Sequence, residues 1–458
     1  MNRRDSGKLS SNARVTGMLR KSLPSVMIAL VATLSLSPAT GREGSRHYTF
    51  EPTGRVLVKG SYPQLGVRAS GDLFLLRLKD RNLWLQTSSD GGDSFDEGVR
   101  VNDGGEVDSH AENTPLMIVR SMREFYVLWT AEEGQDKGHG HGHGNTSLRL
   151  ATSTDWGRSF NKSIPIDPSS TASQSFFTLA VGPDGTVYGA WLDGRDRDQG
   201  KSGSSALYLA RSTNRGQSFE KSVRVALNVC PCCRPSIDFT DAKTMHIGWR
   251  GVLNDEIRDI FVGTSTDGGA TFSAPTRVAE DNWRINGCPH SGPSLATMGG
   301  KLFTAWRTVT GDRGRVYIAS SSDNGAHFSA KVEADSRFYD ANHPQLLALE
   351  NSVGLVLQAR EASEQQGWGK FDIYFRQVDQ DCSLSPPQRL GHTAGSATYP
   401  TILFERPDHL FVAWTEGTED GQKVVLARGR LTSPKPMNSS PPVNSSASDA
   451  SRRSNDKH

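Results

Sequence analysis

A β-propeller, a ring of four-stranded sheets in an all-β chain, is the fold this sequence predicts, on three observations. One turn motif recurs along the chain, the same strand pattern surrounds each copy, and the strand lacking at the C-terminal end is supplied at the start.

The motif reads Ser-x-Asp-x-Gly-x-x-Phe. It runs from Ser88 to Phe95, Ser153 to Phe160, Ser265 to Phe272 and Ser321 to Phe328, and a further copy from Ser212 to Phe219 carries Asn214 in the Asp position. A decayed copy keeps Asp379, but Asp381 and Leu384 replace its Gly and Phe. In a hairpin turn the Asp side chain caps backbone N–H groups, the Gly supplies a positive φ, and the aromatic ring packs beneath. Recurrence at intervals of 53 to 65 residues marks a repeat architecture.

Each motif sits in the same unit. A Pro followed by apolar residues opens it, at Tyr62-Pro63, Thr114-Pro115, Arg234-Pro235, Gly292-Pro293, His343-Pro344 and Tyr399-Pro400, with Phe176-Phe177 in the equivalent slot of the third unit. A second β-run follows, often ending in Trp: Trp129, Trp191, Trp249, Trp306 and Trp414. A third leads into the motif, as in Leu83-Trp84-Leu85 and Val316-Tyr317-Ile318, and a fourth leaves it, as in Val223-Arg224-Val225 and Thr276-Arg277-Val278.

Counting gives seven sets of the first three strands but only six fourth strands behind them. Arg55-Val56-Leu57-Val58, ahead of the first Pro, supplies the seventh by pairing in the last blade. Ring closure removes the exposed edges of an open array. The prediction is seven four-stranded blades, or six if one unit is an elaboration.

Composition agrees: Gly is abundant at 46 residues, and hydrophobic residues make up 35%, as suits short strands joined by turns. The 52 Lys+Arg against 50 Asp+Glu leave no field that points to a nucleic-acid or membrane-surface partner. Residues 1–45 read as an export segment, since Arg3, Arg4, Lys8, Arg14, Arg20 and Lys21 precede an apolar run from Leu23 to Leu36, followed by small residues at Ser37-Pro38-Ala39. The run is shorter than the ~20 residues of a spanning helix, so the expectation is a secreted or periplasmic protein with no membrane span after cleavage. Residues 46–431 form the propeller, and 432–458 are a Ser/Pro/Asn-rich, then charged tail.

Over roughly Arg55 to Leu431 the motif and its unit resemble the sialidase/neuraminidase superfamily of Asp-box, or BNR-repeat, propellers. The resemblance implies an arginine triad for a carboxylate, a Tyr–Glu nucleophile pair and an Asp acid/base, hence an exo-α-sialidase-type glycoside hydrolase. Arg250 and Arg307 follow the Trp of adjacent units and Arg234 opens a first strand nearby; Tyr339 lies in a late loop where a nucleophile could stand, and Asp108, on another loop of the same face, is a further candidate with no role assigned. The family's Arg-Ile-Pro signature is absent, its place reading Ser61-Tyr62-Pro63-Gln64-Leu65, so the first triad arginine is unassigned. Asp-boxes also occur in non-enzymatic propellers, where they are only turns.

If the strands alternate in direction, every Asp-box lies on one face and the varied loops emerge on the other. Ligand sites on rigid scaffolds favour such loops. On that upper face Cys230, Cys232 and Cys233 precede the fourth first strand, Cys288 and His290 precede the fifth, and His343 the sixth. Thiols with an imidazole are donors that soft or borderline metals, Cu(I) or Zn(II), accept. A disulfide from Cys288 to Cys232 or Cys233 and a reactive thiol are the other readings, because export favours pairing. Cys382 belongs to the decayed Asp-box on the opposite face, and His139, His141 and His143 form a second candidate cluster. The functional readings are therefore a metal-binding propeller with a ligand site on its upper face, a sialidase-like hydrolase, or a non-catalytic protein- or glycan-binding propeller. Partners are a small molecule, glycan or metal.

Overall fold

The structure is a computed structural model that describes residues 47–432, apart from 52–53, 111–112, 122, 133–145, 202, 362–368 and 392–394. The export segment, the C-terminal tail and the His139/His141/His143 loop lie outside the described residues. What is described is almost entirely β, with two single 3-10 turns at Arg197–Gln199 and Asn254–Glu256. No helix among the described residues is long and apolar enough to cross a membrane.

The strands fall into antiparallel sets in the predicted order. The first comprises Ser61–Val67, Leu73–Lys79, Asn82–Ser88 and Val99–Arg100. The fourth, which neighbours the cysteines, comprises Ser236–Phe239, Met245–Arg250, Ile260–Ser265 and Thr276–Arg277. The fifth and sixth are joined into one hydrogen-bonded sheet by a single parallel bridge, Gly314 to Asp340. In the last set Ala397–Arg406, His409–Thr418 and Gly421–Thr432 are completed by Arg55–Lys59, with Arg55 opposite Leu426 and Val58 opposite Val424. A further strand, His47–Phe50, continues along the same edge from Thr432 to Gly429.

Each strand's sequence follows from its position. The second strand of the first set is packed on both faces by neighbouring sets, so its opening stretch runs apolar rather than alternating; Leu73, Phe74, Leu75 and Leu76 are all fully buried. The fourth strand is an outer edge, and keeping it as short as Val99–Arg100 limits edge-to-edge pairing. Phe74 and Leu76 of the first set share an apolar cluster with Phe125 and Val127 of the second. Leu65 and Leu75 share one with Phe411 and Leu426 of the last. The inner strand Ser61–Val67 touches both Leu116–Val119 and Ala397–Arg406.

The motifs are turns. Oδ1 of Asp267 accepts from the backbone N–H of Ala270 (3.0 Å) and Thr271 (2.9 Å), and Oδ2 from the Thr271 hydroxyl (2.6 Å). These bonds, the Thr271 hydroxyl first, hold its carboxyl down at about 2. The motif Gly is left-handed, at φ 82° in Gly269, and a Cβ there would sit 2.8 Å from Leu209 Cδ2 of the preceding set. The residue before it is left-handed too, as in Trp156 (φ 66°) and Asn324 (φ 57°), which the sequence reading did not anticipate. The decayed copy still turns, with Cys382 N–H donating to Asp379 O at 3.0 Å.

Candidate metal centre

Two loops build the centre. The strand Val223–Val229 ends and the chain enters Cys230, whose N–H donates to Arg250 O at 2.8 Å, fixing it to the end of Met245–Arg250. The other loop precedes Ser294–Met298 and is drawn against the first where Gly292 meets Arg234. The sulfur of Cys230 lies 3.7 Å from that of Cys232 and 3.4 Å from that of Cys233. Donor atoms of Cys230, Cys232 and Cys233 all fall within 4.8 Å of one another, and so do those of Cys232, Cys288 and His290. The trio is buried and Cys288 is exposed. This Cys/His cluster could hold a metal.

No disulfide is formed: all five cysteines are free, and sulfur separations of 3.4 and 3.7 Å are contacts rather than bonds of about 2.05 Å. Cys382 packs in a different apolar cluster, with Met298 and Leu355.

The electrostatics favour an anionic sulfur at Cys230. Bonds from the Cys232 and Cys233 thiols, with Arg250 and Arg258 close by, hold the Cys230 thiol well below its ordinary range. Cys232 and Cys233 are pushed up, Cys232 by its contacts with the other two sulfurs and Cys233 by burial. Arg258 Nη1 donates to Cys230 Sγ at 3.3 Å and Nη2 to Glu256 Oε2 at 3.0 Å. Sequence reasoning missed Arg258. Its one signal was position, since it lies between the second and third strands of the fourth unit, in a loop that emerges on the cysteine face.

Arg234, next to Cys233 in sequence, also lines a pocket that is open to solvent. Tyr62, Gln64, Thr114, Arg234, His343 and Tyr399 are among its walls. Tyr62, His343 and Tyr399 each precede the opening Pro of an inner strand and are left-handed, at φ 52°, 50° and 54°, where the strand register slips. Such backbone costs of order 1 kcal/mol or more per residue. Neighbouring sets brace two of these bulges: Thr415 Oγ1 accepts from Tyr62 N–H (2.8 Å) and Gln358 Oε1 from Tyr399 N–H (2.9 Å). His343 stands edge-on to Tyr399 at 4.8 Å. Burial first, then Arg307 and Arg234, pushes its imidazole down to about 3, so it is neutral at pH 7.

The other expected site residues take different places. Arg234 lines the pocket and donates to Thr114 O (2.6 Å) and Oγ1 (2.7 Å). Arg250, expected to face a ligand, is fully buried over Trp283 and donates to the carbonyls of Ser291, Arg258 and Arg307. It therefore clamps loops together, because an apolar neighbourhood forces a buried guanidinium to spend its donors on nearby carbonyls. Arg307 pairs with Asp340 at 3.0 Å, and Arg360 takes the other oxygen of that carboxylate at 3.0 Å. Asp108 sits on the short strand Val107–Asp108 and accepts from Asn113 Nδ2 at 3.3 Å. Tyr339 is exposed and does not wall the pocket. Arg195, from another upper-face loop, is committed to Asp167 (2.6 Å) and Asp193 (2.7 Å).

No family model and no curated protein matches the sequence. Among solved structures, the chain is similar to an ulvan lyase, a polysaccharide lyase, at TM-score 0.54 and 11% identity, over 82% of this chain and 95% of that one. It is similar to a Dyadobacter fermentans protein of unknown function at TM-score 0.50 and 18% identity, over 69% and 94%. The NanB sialidase of Streptococcus pneumoniae aligns at TM-score 0.43 and 13% identity, over 83% and 71%. The chain thus has a propeller-like, nearly all-β fold. These likenesses speak to fold alone.

Proposed function

We propose that this chain is an exported, closed propeller of seven four-stranded blades whose upper face binds a soft or borderline metal ion, Cu(I) or Zn(II), beside a pocket for a small ligand. The observation that carries the reading is the convergence of four thiols and one imidazole from two loops far apart in sequence, Cys230, Cys232 and Cys233 with Cys288 and His290. Thiolate and imidazole donors suit these ions, and Arg258 offsets part of the negative charge that the thiolates gather. Seven sets of strands with a returning cycle of contacts support the blade count, and the basic and apolar N-terminal segment supports export.

The test is metal analysis of the reduced, full-length protein purified from an oxidising compartment, with thiol counting. Retained copper or zinc, lost in a Cys232→Ser variant that takes a donor from both sets of three, is the expected result. A metal-free protein that fails to take up either ion overturns the reading.

The pocket favours a second reading, a glycan ligand. Tyr62 and Tyr399 lie edge-on at 5.1 Å, next to the polar Gln64 and Arg234, which is the mixture of ring faces and hydrogen-bonding groups that sugars meet. Hydrolysis of a fluorogenic sialoside, abolished by Tyr399→Phe or Arg234→Ala, would make the chain a sialidase-like hydrolase. Saccharide binding without turnover would make it a glycan-binding propeller.

A further inference from the structure

We infer that the Cys/His cluster is built for two Cu(I) ions that share the thiolate of Cys232. The inference rests on the metal reading above and adds a nuclearity and an oxidation state to it.

At 4.8 Å the five donors form two sets of three with Cys232 common to both, rather than one set of four. A single tetrahedral ion takes four donors, so it leaves one of the five unused. Two three-coordinate ions use all five, provided one sulfur bridges. Three-coordination by thiolate is the habit of Cu(I), a soft monovalent ion, whereas Zn(II) completes a tetrahedron. A metal–sulfur bond of about 2.3 Å places trigonal sulfurs about 4 Å apart. Cys230 stands 3.7 Å from Cys232 and 3.4 Å from Cys233, so an ion enters the inner set with only a small opening.

The two sets face different surroundings. Cys230, Cys232 and Cys233 are all buried, with Arg258 against Cys230, while the outer set ends in exposed Cys288 and half-buried His290. The inner ion is thereby shielded from water and the outer one is open to exchange. On loading, each sulfur that is still protonated releases its proton to solvent, and no electron moves because copper enters as Cu(I).

The test is an anaerobic Cu(I) titration of the reduced, full-length protein, followed by challenge with the chelator bathocuproine disulfonate. Saturation at two copper ions per chain is expected, one leaving quickly and one slowly. Cys288→Ser and His290→Ala should each leave one ion, the slow one. Cys382→Ser, outside the cluster, should keep both. Thermal melting shows that each variant is folded, and because Cys288 is exposed its variant decides the matter even where a substitution in the buried trio fails to fold. Saturation at one ion, lost equally in every cluster variant, overturns the two-ion centre and leaves the metal reading standing. No uptake overturns both.

Discussion

Gly292 lies so close to Arg234 that a Cβ on it would fall 1.8 Å from the carbonyl oxygen of Arg234. That contact presses the Cys288/His290 loop against the loop that follows Cys233. Gly292→Ala should force the two loops apart and, as overpacking, cost about 1–3 kcal/mol. Chemical denaturation and copper titration check this together: stability and the outer ion's affinity should both fall. Unchanged affinity with lowered stability would mean that the loops do not depend on each other.

Arg258 is the cation beside Cys230, at 3.3 Å. Replacing it with Met keeps much of the packing and removes the charge, so the thiolate should be harder to form. The ultraviolet thiolate absorbance of the reduced protein, followed against pH, should move to higher pH in Arg258→Met and stay nearer the parent in Arg258→Lys. A curve that does not move would assign the low Cys230 value to the neighbouring thiols alone.

The Asp-box carboxylates are structural, so Asp267→Ala should cost about 1–2 kcal/mol through lost capping bonds and leave copper stoichiometry unchanged. Asp267 is held down at about 2 in the folded protein, against about 3.9 when unfolded. The unfolded chain therefore binds the proton first, and the stability contributed by the ionised form is complete above about pH 4 and is lost as pH falls toward 2. Asp155 is lowered as well, by Ser159 against the effect of burial. Equilibrium unfolding at pH 5 and pH 3 should show a smaller acid loss in Asp267→Ala than in the parent.

The N-terminal strands complete the last sheet. Arg55–Lys59 pairs with Gly421–Thr432, and Tyr48 is tied to its surroundings by its hydroxyl, which donates to Pro407 O at 2.7 Å. Deleting residues 47–60 should abolish the single cooperative unfolding transition, because it exposes the long edge from Lys423 to Thr432 and the apolar cluster of Leu65, Leu75 and Leu426. A truncated protein that melts like the parent would show that the seam carries no stability.

The strand pattern was open to reading from the chain alone because it is local. Asp267 caps its own turn, Gly269 bends its own backbone, and the run Leu73 to Leu76 is apolar wherever it packs. The pairing of Arg55 with Leu426 was also legible, since a missing strand at one end and a spare one at the other leave few ways to remove an edge. The slot before the inner strands placed Cys230 and Cys288 on one face, but their distance was for the tertiary structure to decide. It depends on Gly292 meeting Arg234 and on Arg258 reaching Cys230, contacts between loops whose sequences carry no periodicity. Arg250 shows the same limit from the other side: its position after Trp249 predicts the face it approaches, while burial beneath Trp283 turns its donors onto carbonyls. Backbone geometry repeats and so can be read; side-chain burial is set by whichever loops fold over it.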